Sequence, residues 1–114
     1  MTCGMQILEQ HQSPDGLLRF IVVRHDDGDI SLGFDGFTSH THADIIASEG
    51  QSEEQAVRQF VDDLLCGRSI IAVARVGERI QDVWVAVDAV SDKYKPANEI
   101  IEFRRWDGAK VPQR

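Results

Sequence analysis

Apolar side chains recur at spacings of one, three and four residues between Ser52 and Gly67. This spacing is typical of a helix with one apolar face. Ser52 is a favoured N-cap residue, and Gln55 three residues later completes a capping box. Gly67 can adopt the left-handed conformation that ends many helices. The apolar positions are Ala56, Val57, Phe60, Val61, Leu64 and Leu65. One such helix needs a sheet to cover its apolar face.

Short apolar or alternating runs predict strands on both sides of this helix. Five are clear: Leu17–Arg24, Ile30–Asp35, Ser69–Val76, Arg79–Asp88 and Glu99–Trp106. Turn-forming residues separate the first two strands and also the third and fourth, so each of these pairs is predicted as a hairpin. A short additional strand, Met5–Gln12, precedes them. The predicted fold class is α+β, with an antiparallel sheet of about five strands and one main amphipathic helix packed on one face in two layers.

The segment Gly36–Gly50 is compatible with two structures. Thr41 could cap a short helix that has Asp44 at its third position. Alternatively, residues His40–Ala47 are extended, with Ile45 and Ile46 packed into the core. We favour the extended or irregular alternative.

Length and composition predict one domain, residues 1–114, with residues 1–4 and 110–114 loosely held. Ala89–Asn98 is predicted to be a polar loop. No apolar run approaches the roughly 20 residues that span a bilayer, and the N-terminus does not resemble a secretion signal. Cys3 and Cys66 are far apart, which predicts reduced thiols and a cytoplasmic location rather than a disulfide framework.

The net charge of −7 is unevenly distributed. Residues 1–66 contain twelve acids and three bases, net −9, whereas residues 67–114 contain seven acids and nine bases, net +2. Such a chain repels nucleic acid and anionic membranes, so neither is an expected partner. A basic protein partner is expected, as for an inhibitor or an immunity protein against a nucleic-acid-cutting toxin. The alternative is that the acidic residues serve only solubility.

The histidine-rich segment supplies the main candidate for chemistry. On a strand His40, His42 and Asp44 would point the same way, at about 6–7 Å spacing, and could converge on a divalent metal. One histidine near Asp44 could also act as a general base without metal, although no nucleophile or oxyanion site is indicated. We favour a third interpretation, a hydrogen-bonded histidine pair in a loop. No cofactor is expected, with a divalent metal at the histidines as the alternative.

Other residues suggest a partner-binding surface. Arg104, Trp106 and Trp84 could share a face as a cationic and aromatic patch, since Arg and Trp dominate binding hot spots. Alternatively, one Trp belongs to the core and the arginines pair with nearby acids. The candidate partner-binding residues are Asp26, Asp27, Asp29, Asp35, Trp84, Arg104 and Trp106.

These features favour a non-catalytic protein-binding module. A small metal-dependent enzyme, or a metal or ligand binder at the histidines, is the main alternative, and a homodimer joined through the sheet is a third.

Overall fold

The computed structural model describes residues 5–37, 39–86 and 99–112. The first part of the chain forms an antiparallel sheet whose strands follow chain order, which we call sheet A. Its strands are β1 (Gln6–Gln12), β2 (Arg19–Arg24), β3 (Ile30–Phe34) and β4 (His40–His42). The predicted hairpin of the second and third strands is confirmed.

Alternation along β2 and β3 determines which face of sheet A is buried. Phe20 lies opposite Phe34, and Val22 lies opposite Leu32, and all four side chains are buried in the core. Because successive strand residues point to opposite faces, the residues between them face away from this core. Val23 on that second face is also buried, which agrees with a central strand that is apolar on both faces.

The second part of the chain forms a three-stranded antiparallel sheet, which we call sheet B. Its strands are β5 (Ile70–Val76), β6 (Arg79–Ala86) and β7 (Glu99–Arg104), in the order β6-β5-β7. β5 is therefore central and β6 forms one edge. The last two residues of the predicted fourth strand and the predicted loop Ala89–Asn98 lie outside the described residues.

Two helices connect the sheets, α1 (Ala43–Ile46) and α2 (Glu53–Leu65). α2 is the predicted amphipathic helix, and the capping box is present in full. The Ser52 hydroxyl accepts a hydrogen bond from the Gln55 backbone N–H, and the Gln55 side chain accepts one from the Ser52 N–H. Gly67 follows the helix with φ of 87°, as expected for a left-handed C-terminal residue.

The main core lies where α2 meets one face of each sheet. Val57, Val61 and Leu64 from α2 pack with the core side chains of sheet A. Sheet B contributes Ile71, Val73 and Val83, and Trp106, which follows β7, completes the cluster. A helix with one apolar face is thus covered by two sheets rather than one.

The α+β class is therefore correct, but the predicted single sheet of about five strands differs from the observed arrangement. The described residues form seven strands in sheets of four and three. Local patterns predicted the hairpins, but which hairpins share a sheet depends on contacts between distant segments. β4 is too short, at three residues, to give a periodic signal.

The segment Gly36–Gly50 combines both predicted alternatives. Within this segment His40–His42 are extended as β4, and α1 follows directly. Thr41 is not the cap: the N-cap residue is His42, whose side chain makes no capping hydrogen bond. Ile46 packs against the core, whereas Ile45 is 69% exposed.

Within the described ranges, no helix has both the length and the apolar character needed to cross a membrane.

Candidate binding groove

An open groove of about 510 Å³ lies between the edge strands β4 and β6. Aromatic side chains form much of its lining, and polar groups lie at its rim. The lining includes Phe20, Phe34, Phe60, Trp84, Ser39 and Asp82. They come from β2, β3, α2, β6 and the segment before β4, so the groove exists only in the folded chain.

The floor of the groove is an aromatic cluster centred on Phe20. The Phe20 ring stacks near Phe60, with centroids 5.9 Å apart and planes inclined by 22°. It meets Phe34 edge-on at 5.3 Å. Phe20 and Phe34 are buried, while Phe60 and Trp84 are half-buried. Phe60 and Trp84 therefore offer the accessible aromatic surface.

Asp82 on β6 places a carboxylate at the rim of this aromatic surface. It accepts hydrogen bonds from the Ser39 hydroxyl and the Ser39 backbone N–H, the latter at 3.4 Å. The Val83 backbone N–H donates to the same carboxylate at 2.9 Å. Among the described residues, no cationic side chain forms an ion pair with Asp82. The carboxylate is thus oriented by neutral donors and keeps its charge uncompensated by a described cation.

A second polar cluster lies on the face of sheet A that points away from the core. The rings of His40 and His42 meet edge-on there, with centroids 4.9 Å apart. His42 Nδ1 lies 2.8 Å from Asp29 Oδ2 and 3.3 Å from Ser31 Oγ. His25 Nε2 lies 2.9 Å from the same hydroxyl. Two histidines, His25 and His42, thus share one hydrogen-bonded network with Ser31 and Asp29, and His40 joins it through its ring contact with His42.

This network differs from the predicted metal site. Strand alternation brings His40 and His42 to one face as predicted, but Asp29, not Asp44, lies beside His42. Asp44 is in the first turn of α1, where strand alternation no longer applies. In the described part of the chain, no group of three or more His, Cys, Asp or Glu side chains is placed to hold a metal.

Sequence reasoning missed the contributions of Asp29, Ser31 and His25 to this network. The available signal was the hairpin register: Ser31 pairs with His42 across β3 and β4. That register could be derived only if β4 had been recognised as a strand.

The predicted surface patch of Arg104, Trp106 and Trp84 is wrong, and the alternative that one Trp belongs to the core is confirmed. Trp106 is 6% exposed and belongs to the core, and Arg104 is 8% exposed. The Arg104 guanidinium donates to Asp15 Oδ2 at 2.8 Å and to the carbonyl oxygens of Trp106 and Arg105. Its partner therefore comes from the loop before β2 rather than from a neighbouring acid. Trp84 alone of the three lines the groove.

The four acidic candidates occupy different environments. Asp26 and Asp27 are exposed in the turn between β2 and β3, and neither forms an ion pair with a described cation. Asp29 is engaged by His42. Asp35 lies 3.6 Å from Arg19 in an exposed pair. Only the first two remain as uncompensated surface charges.

The groove is therefore the concave site with the clearest binding chemistry among the described residues. Its aromatic faces can contact apolar or cationic groups, and its carboxylate selects against anions. Comparison of the chain with models of protein families, with curated proteins and with solved structures found no match in any of the three.

Proposed function

We propose that this chain is a non-catalytic protein-binding module that docks a basic protein partner in the groove between β4 and β6. The observation that carries the proposal is the groove itself, an aromatic concavity of about 510 Å³ with a carboxylate at its rim. Apolar clefts with a few convergent polar groups are the usual form of binding sites. Trp, with its large rigid ring, is the residue type most typical of binding hot spots.

The charge of the chain supports a basic partner. The net charge of −7 creates a field that attracts cationic surfaces and repels nucleic acid. Asp26 and Asp27 contribute two exposed negative charges to this field from the turn between β2 and β3. Exposed charges of this kind raise the association rate and favour a partner of opposite charge. Contacts in the groove would then slow dissociation of the complex.

A protein that neutralises a basic toxin is the form of this function that best fits the size and charge of the chain. An inhibitor or immunity-type protein needs a rigid surface complementary to its target and no chemistry of its own. Nucleic-acid-cutting toxins carry basic surfaces because they bind phosphates.

Affinity capture followed by binding measurements tests this proposal. Immobilised wild-type chain is exposed to extract from the source cells, retained proteins are identified, and each is purified and titrated calorimetrically. We expect a retained protein with a basic isoelectric point, bound more weakly as salt rises. Trp84→Ala should weaken that purified complex by about tenfold or more.

Ile45→Ala is the matched control, because Ile45 is a large exposed apolar side chain outside the groove. This variant should bind as the wild type does. A purified partner that is acidic, an affinity indifferent to salt, or equal loss in both variants would contradict the proposal. Thermal unfolding of both variants shows whether they are folded.

A further inference from the structure

We propose that the groove is a receptor for an arginine side chain, with Asp82 as its counter-charge and Phe60 and Trp84 as its stacking surfaces. This proposal rests on the proposed function, since it names the chemical group of the partner that enters the groove. The occupant is a guanidinium group presented by a basic protein, not a free anion or an apolar ligand.

The first reason to expect a cationic occupant is the environment of Asp82. Its side chain is half-buried, and hydrogen bonds from Ser39 and from the Val83 N–H hold it at the groove rim. Holding a partly desolvated carboxylate without a cation costs free energy that a bound cation recovers. No described cation forms an ion pair with it, although other described arginines do pair with acids: Arg19, Arg68, Arg75 and Arg104.

The aromatic surface is the second reason. Phe60 is stacked on Phe20. Trp84 lines the same groove from β6 and is held by packing against a second apolar cluster in sheet B. A cation that lies over an aromatic face is attracted by the electrons of the ring, most strongly over Trp. A methylene stem packs favourably on the same surface.

The combination favours arginine over lysine. The planar guanidinium stacks on aromatic rings while its N–H groups donate to a carboxylate in the same plane. An ammonium group is more strongly hydrated and loses more on entering an apolar groove. Asp82 keeps acceptor capacity for this contact, because a carboxylate has about four acceptor positions and the described donors number three.

Nuclear magnetic resonance titration with two small probes tests the proposal directly. N-acetyl-arginine amide carries the guanidinium, and N-acetyl-citrulline amide is its neutral isostere. We expect the arginine probe to shift the Trp84 indole N–H and the backbone signals of Ser39 and Asp82 in a saturable way. The citrulline probe should bind at least about fivefold more weakly, and salt should weaken only the arginine probe.

Asp82→Asn is the matching variant, because an asparagine side-chain oxygen can still accept from Ser39 and Val83. It should lower the affinity for the arginine probe at least about fivefold and leave the citrulline probe unchanged. Asp35→Asn removes an exposed acid of the same type and should leave both affinities unchanged.

Equal binding of the two probes would overturn the proposal, as would shifts centred on Asp26 and Asp27 instead of the groove, or an Asp82→Asn variant that binds arginine normally. These outcomes are separable from failure of the proposed function. If Trp84→Ala no longer binds the basic partner but Asp82→Asn still does, only the assignment of an arginine to the groove is contradicted. If the arginine probe binds in the groove but no basic protein partner is found, only the proposed function is contradicted.

Discussion

At the scale of the residue, Arg104 connects the end of β7 to the loop between β1 and β2. Its guanidinium is buried and donates to Asp15, which lies 89 positions away in sequence, and to two carbonyl oxygens near β7. The Arg104 hydrogen bond, followed by that of Ser13, holds the pKa of the Asp15 carboxyl well below its usual range. A buried guanidinium depends on such partners, since its burial is costly if they are removed.

Replacing Asp15 with Asn should therefore destabilise the fold. The substitution keeps the shape but removes the negative charge that faces Arg104. We expect the free energy of unfolding to fall by about 1–3 kcal/mol, measured by urea denaturation. Asp35→Asn is the control, because the exposed pair with Arg19 should contribute no more than about 0.5 kcal/mol. Equal losses in the free energy of unfolding would show that the Arg104–Asp15 pair stabilises the fold no more than the exposed pair does.

The same pair predicts how stability depends on pH. A carboxyl whose pKa is lowered on folding contributes stability fully above its ordinary pKa of 3.8, and this contribution is lost as the pH falls below that value. The wild type should therefore lose stability between about pH 5 and pH 2 more steeply than Asp15→Asn. The measurement is urea denaturation at several pH values. Parallel curves for the two proteins would contradict the prediction.

At the scale of the element, β4 depends on the absence of a side chain at Gly33. A Cβ atom added there would come 3.0 Å from the Cβ of His40 and 3.1 Å from the carbonyl oxygen of Ser39. Gly33→Ala should displace β4, lower stability by about 1–3 kcal/mol, and shift the ring signals of His40 and His42. Gly36→Ala meets no neighbouring atom but has φ of 90°, so it should lower stability through backbone strain while leaving the ring signals in place.

The N-terminus of α2 allows a test of one local interaction, the capping hydrogen bond of Ser52. Ser52→Ala removes the hydroxyl that accepts the Gln55 N–H and should cost about 1 kcal/mol in the free energy of unfolding. Ser48→Ala is the control, since the described contact of Ser48 uses its backbone N–H, not its hydroxyl. Of the two substitutions only Ser52→Ala removes a capping hydrogen bond, so equal stability would argue against a contribution from the capping box.

The elements differ in how far the sequence predicts them. α2 was predicted because its cap, its apolar spacing and its terminal glycine are all local. For β4 the sequence allowed both a short helix and an extended segment. Three residues carry too little local signal to decide, because their extended structure depends on pairing with β3. The predicted ligand set failed to form for the same reason: Asp44 follows the point where the strand becomes α1.

At the scale of the whole molecule, the excess of negative charge should oppose folding slightly. Asp26→Asn combined with Asp27→Asn removes two unpaired charges from one turn. We expect the free energy of unfolding to rise by up to about 0.5 kcal/mol at low salt, with the difference vanishing near 0.5 M salt because of screening. Urea denaturation at both salt concentrations measures this. A loss of stability at low salt would contradict it.

The groove shows what a sequence pattern cannot predict at this scale. Phe20, Phe60 and Trp84 are individually typical of core or strand positions. Phe20 and Phe60 belong to the core around α2, Trp84 packs against a second cluster in sheet B, and all three line one groove only because β6 lies beside β4. The same packing buries Trp106 and Arg104, which in the sequence resemble a surface patch. Distinguishing the two tryptophans required knowing that sheet B exposes β6 at its edge.

The position of Trp106 has a consequence for synthesis of the protein. Its indole fills the core between α2 and both sheets, and Arg104 beside it holds the loop that contains Asp15. The interior therefore cannot close until the segment that contains Trp106 has left the ribosome. Until then the nascent chain exposes apolar side chains of both sheets, and exposed surface of this kind favours aggregation or contact with chaperones.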